Sequence, residues 1–93
     1  MIYLDNAATT KVNKKVLESM MPYFSEIYCN PSAAYSFATK GRIAIEEARN
    51  HAAKLIGASD MEIYFTSGGS ESDNWAIKAV AESFSDKGKH IIT

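Results

Sequence analysis

Phe65-Thr66-Ser67-Gly68-Gly69-Ser70-Glu71-Ser72-Asp73-Asn74 is the stretch that decides how this chain is read. The apolar run Ile63-Tyr64-Phe65 in front of it has the length and composition of a buried strand. Behind it, Trp75 to Phe84 follows a helical pattern. A strand that turns through glycines into a helix start is suited to an anion. The first backbone N–H groups of the helix have no partner within it, and the helix dipole favours negative charge there. Gly68 and Gly69 allow a phosphate close approach, and Ser67 and Ser70 offer hydroxyls. Ser70-Glu71-Ser72-Asp73 has capping-box spacing, with Asp73 set to reach back to Ser70. The expectation is a site for one end of a phosphorylated ligand. Read on its own, Gly68-Gly69-Ser70 is also a plain strand-to-helix turn, and Ser67 a plain turn hydroxyl.

Working outward, Glu62–Phe65, Ser70–Phe84 and His90–Ile92 read as strand, helix, strand. Such alternation predicts an α/β architecture with a largely parallel sheet. The sheet would be incomplete, because so few strands cannot cover a helix on both faces. Upstream, Ile2-Tyr3-Leu4 predicts a short strand and Asp5–Thr10 a polar loop. Asn13 is placed to cap a helix carrying Val16, Leu17, Met20 and Met21, which Pro22 halts or kinks. Asn30-Pro31-Ser32 marks a turn. A long helix is predicted from about Thr39 to Ile56. Its buried stripe would be Ile45, Ala48, Ala52, Leu55 and Ile56, and Gly57 would end it. Trp75, Phe84, Tyr64 and Phe65 are predicted core. The whole reads as one unit: residues 1–12 a strand and loop, 13–57 helical, and 62–93 the start of an α/β domain. Lys89–Thr93 stops inside its strand, so the chain is expected to be a piece of something longer.

Composition sets bounds on partners. Ten basic and eleven acidic residues give a net charge of −1, with no basic stripe, so nucleic acid is not an expected partner. Apolar runs are too short to span a membrane, and the start lacks signal-peptide character. The single cysteine, Cys29, cannot form an internal disulfide and fits a reducing cytoplasm. Two distant histidines, His51 and His90, have no metal-ligand spacing and read as surface or structural residues.

Four segments together carry a resemblance to a known family. They are Tyr3-Leu4-Asp5-Asn6-Ala7-Ala8-Thr9-Thr10, Asn30-Pro31-Ser32, Phe65–Asn74 and Lys87-Gly88-Lys89-His90-Ile91-Ile92-Thr93. In this order and spacing the chain resembles the N-terminal part of cysteine desulfurases, in the class V group of pyridoxal-phosphate (PLP) enzymes. The resemblance implies a fold-type-I PLP-dependent transferase: three helices, short strands and a β-α-β end. It implies a homodimer whose active sites lie near the subunit interface. It also implies the reaction, in which L-cysteine gives L-alanine and an enzyme persulfide that supplies iron–sulfur clusters or tRNA thiolation through a sulfur-acceptor protein. The segment matching Gly69 and Ser70, with Gly68 beside it, would bind the PLP phosphate. The loop holding Asn6 and Ala7, and the turn at Asn30, would wall the active site. The family commonly has Thr at Ser70, an equivalent hydroxyl, and Gly at Cys29.

The resemblance places the family's PLP-binding lysine, its ring-pairing aspartate and its persulfide cysteine beyond Thr93. No lysine of this chain sits in the family's lysine context, so no catalytic residue is assigned and the chain alone is expected to be inactive. Other readings stay open: another class V enzyme such as an aminotransferase or selenocysteine lyase, or a non-catalytic module that binds or dimerises. A nucleotide P-loop and a dinucleotide fingerprint are both absent.

Overall fold

Asn13 starts the first helix as its sequence position predicts. Its backbone is extended (φ −63°, ψ 139°) and its side-chain oxygen accepts from the Lys15 N–H at 2.9 Å. In the computed structural model, which describes residues 1–92, helix α1 (Lys14–Met20) is followed at once by the single turn α2 (Pro22–Ser25). Pro22 makes the division. It has no N–H to give to α1, and it suits the first position of a new helix.

Helix α3 (Ala38–Ile56) is the longest element. It ends at Gly57, whose left-handed backbone (φ 71°, ψ 28°) lets the Ala58 N–H reach the Ala53 carbonyl at 2.9 Å. A 3-10 turn, Asp60–Glu62, follows under a capping box: the Ser59 N–H and hydroxyl both meet the Glu62 carboxylate, at 2.8 and 3.0 Å. The turn packs back against α3, where Asn50 reaches Asp60 at 3.5 Å. Helix α4 (Gly69–Ser83) completes the order.

The predicted sheet is not there. Among the described residues no strand forms, so the α/β class with a β-α-β end is corrected to a helical chain. Ile2–Leu4, Ile63–Phe65 and the tail from His90 carry no ladder, and Thr93 lies outside the described residues. A helix satisfies its own backbone, whereas a strand is defined by a neighbour that shares its hydrogen bonds. Ile63 is extended (φ −101°, ψ 123°) but meets no partner strand.

The predicted core is also corrected. Of the expected α3 stripe, Ile45 and Ala52 are half-buried, but Ala48, Leu55 and Ile56 are exposed. Trp75, Phe84, Tyr64 and Phe65 are exposed as well. Fully buried apolar side chains are limited, among the described residues, to Ala38 and Ala53. The radius of gyration is 18.0 Å, where a compact domain of this length has about 12 Å. The accessible surface is 8461 Å², against about 5,300 Å² for a closed monomer of this mass. The chain is an open frame of helices, 49 × 48 × 23 Å.

One side chain crosses that frame. Arg49, in the middle of α3, donates to the Ile63 carbonyl, lies 5.1 Å from the centre of the Phe65 ring and meets Glu46 at 3.3 Å. It ties α3 to the segment that leads to α4. Arg49→Ala removes a charge-assisted hydrogen bond and a cation–π contact. It is expected to lower stability by about 2 kcal/mol, read as an earlier loss of the near-ultraviolet signal of Tyr64 and Trp75 on heating. An unchanged melt would show that Arg49 does not hold this segment.

Candidate functional site

The turn into α4 is organised by two sets of hydrogen bonds. On one side a single oxygen of the Glu71 carboxylate accepts from the Ser67 N–H at 2.7 Å and from the Ser67 hydroxyl at 2.6 Å. On the other side the Thr66 and Ser72 hydroxyls meet at 2.7 Å, and the Ser72 hydroxyl donates to the Gly68 carbonyl at 3.2 Å. The Ser72 N–H also reaches the Gly68 carbonyl, at 3.2 Å, so the first intrahelical bond of α4 closes there.

Those bonds show which groups remain free. The N–H groups of Gly69, Ser70 and Glu71 precede the first intrahelical donor and have no acceptor among the described residues. The Ser70 hydroxyl makes no hydrogen bond among the described residues, and the Asn74 amide donates only to the Ser70 carbonyl, at 2.9 Å. A side chain added at Gly68 or Gly69 would meet nothing within 4 Å. Gly68 is extended (φ 162°, ψ 179°), so its value here is open space rather than an unusual backbone. The donor set is three N–H groups and a hydroxyl at the positive end of a fifteen-residue helix. That is the chemistry of an anion site.

The expected cap is corrected by this geometry. Gly68, not Ser70, is the cap residue, and Asp73 makes no hydrogen bond back to Ser70 among the described residues. Glu71 takes that role from the third helical position, reaching back to Ser67. The sequence carried the signal: a glutamate three residues after a cap at Gly68, with a serine just before it. Ser67 is thereby spoken for as a turn hydroxyl.

The other predicted site residues sit in turns of their own. Asn6 and Ala7 occupy the middle of a turn closed by the Ala8 N–H on the Asp5 carbonyl at 3.2 Å, and the Asn6 amide donates to the Tyr3 carbonyl at 3.3 Å. The Asn30 side chain accepts from the Ser32 N–H at 3.0 Å, and its carbonyl accepts from Ala33 at 3.1 Å. No hydrogen bond joins either turn to residues 68–70 among the described residues. Cys29 is half-buried: its thiol donates to the Phe37 carbonyl at 3.1 Å and lies 3.5 Å from where a side chain on Gly41 would begin.

The model of the family described as aminotransferase class-V matches residues 2–93. The chain belongs to the aminotransferase class-V family. Within it, the chain is 55% identical over 92 residues to a cysteine desulfurase IscS of Methanosarcina thermophila and 56% identical to one of Dictyoglomus turgidum. Each alignment covers 99% of this chain and 23% of the relative. A solved structure of a NifS-like protein superposes with a TM-score of 0.85 at 44% identity, covering 91% of this chain and 23% of that one. The chain therefore spans about a quarter of the length of these class-V relatives. No helix among the described residues is long and apolar enough to cross a membrane.

The two Ser67 hydrogen bonds, the hydroxyl first and the backbone N–H second, hold the Glu71 carboxyl below the ordinary glutamate value. A depressed carboxyl stabilises the fold above the ordinary value. That contribution is lost as pH falls through Glu71's own lower value. A carboxyl-carbon NMR titration is expected to find Glu71 below the ordinary glutamate value, and Ser67→Ala is expected to bring it back toward that value. A Glu71 that titrates at the ordinary value would mean that the Ser67 contact does not persist in solution.

Proposed function

We propose that this chain is the N-terminal portion of a cytoplasmic, PLP-dependent cysteine desulfurase and that it supplies the cup for the PLP phosphate. The observation that carries the reading is the uncommitted donor set at the start of α4, in a chain more than half identical to proteins named cysteine desulfurase. The Gly69 and Ser70 N–H groups and the Ser70 hydroxyl fit a phosphate in number and in sign, and open space at Gly68 and Gly69 gives it room. When bound, PLP supplies an electron sink for chemistry at the amino-acid substrate.

In this reading the enzyme converts L-cysteine to L-alanine and passes the sulfur, as a persulfide, to an acceptor protein for iron–sulfur clusters or tRNA thiolation. The chain's own share is binding and orientation. Gly68, Gly69 and Ser70 anchor the phosphate end, and Asn6, Ala7 and Asn30 form part of the active-site wall. Cys29 is not the sulfur carrier; its thiol is turned onto the Phe37 carbonyl and packed against Gly41. The exposed apolar faces around Trp75, Val80, Leu55 and Ile56 suit cover by the rest of the enzyme and by a second subunit of a homodimer.

Two outcomes test this. In the complete enzyme, Ser70→Ala is expected to weaken PLP binding by about 10- to 100-fold, the cost of one hydrogen bond to a charged group, while Ser70→Thr keeps it. Absorbance titration of PLP reads both, and an unchanged Ser70→Ala affinity would remove Ser70 from the cup. The 93-residue chain alone, given PLP and L-cysteine, is expected to release no sulfide above a free-PLP control.

A further inference from the structure

We propose that Glu71 is a positioning residue for the phosphate group, acting through Ser67. The inference rests on the phosphate-cup reading above and adds to it the residue that shapes the cup. Glu71 carries a negative charge at the same helix end that would receive a dianion. Left free, such a carboxylate competes with phosphate for the N–H donors of the first turn. It is not left free. One carboxylate oxygen takes both donors of Ser67, at 2.7 and 2.6 Å. These two bonds commit that oxygen to the residue before the cap, and among the described residues it accepts nothing from the N–H groups of Gly69 and Ser70. They also fix the Ser67 backbone, so the turn enters α4 with Gly68 extended and its side-chain position open. Glu71 thus spends its charge on Ser67 and leaves the helix end positive.

The geometry separates the brace from the fold. Thr66, Ser72 and the Gly68 carbonyl close the opposite side of the turn without Glu71. Helix α4 begins with the Ser72 N–H on the Gly68 carbonyl, which Glu71 does not touch. Glu71→Gln therefore leaves the turn and helix formed, while it removes the charge that makes one oxygen hold two donors. Glutamine also presents an amide N–H₂, a donor, toward donors.

The test measures PLP affinity in the complete enzyme for Glu71→Gln, Ser67→Ala and the double variant, with pyridoxal, which lacks the phosphate, as the second probe. The expected result is about a tenfold loss of PLP affinity in either single variant, no further loss in the double variant and no change for pyridoxal. Tighter or unchanged PLP binding in Glu71→Gln would overturn the proposal, since the charge would then act only as a repellent or not at all. Additive losses would also overturn it, because Glu71 would not be working through Ser67. Equal losses for PLP and pyridoxal would assign Glu71 to general structure instead. Ser70→Ala, measured alongside, tells the two readings apart. If it leaves PLP affinity unchanged, the cup itself is misplaced; if it weakens PLP and Glu71→Gln does not, the cup stands and the role of Glu71 falls.

Discussion

The approach to α4 depends on where Arg49 holds the chain. Twelve residues separate the end of α3 from the start of α4. The first of them are fixed locally, by Gly57 and by the Ser59–Glu62 capping box. The last of them, from Ile63 to Phe65, have no ladder and no buried core to rest on. Arg49 supplies what both would have given: a donor for the Ile63 carbonyl and a surface for the Phe65 ring. Arginine suits the task because its planar group can donate in the plane and stack on its face. The Tyr64 and Trp75 rings, 5.3 Å apart at 69°, then link the same segment to the first turns of α4.

What could be read from the sequence is what the sequence settles locally. Asn13 as a cap, Pro22 as a divider and Gly57 as a terminator each act on residues within a turn of themselves. All three are found where they were expected. The strands were a different matter. Ile2–Leu4, Ile63–Phe65 and His90–Ile92 have the composition of strands, but a strand exists only through a partner, and the described chain gives them none. The misplaced core has the same origin. Alternating and helical patterns tell which face is apolar, not what will cover it. Trp75 on α4 and Phe84 just past its end thus remain about half exposed.

The turn into α4 was partly legible: the two glycines at Gly68 and Gly69 stand where the helix begins. The cap sits two residues before Ser70, at Gly68. Ser70 is a good cap residue by type, but the helix begins before it, because Glu71 and Ser67 close the turn around Gly68. Arg49 left no mark in the sequence at all. An arginine in the middle of an amphipathic helix reads as solvent-facing, and only the fold brings Ile63 and Phe65 under it.

The openness of the frame has a consequence for the heat and denaturant response of the chain. An unfolded chain of this mass exposes about 14,800 Å², so a closed monomer hides about 9,500 Å² on folding. With 8461 Å² still accessible, this one hides about 6,300 Å², roughly two-thirds as much. The heat-capacity change and the urea m-value both scale with that area. On its own the chain would therefore unfold over a broad range, with a shallow slope and little calorimetric signature. A sharp cooperative transition would require the exposed apolar faces of α3 and α4 to be covered.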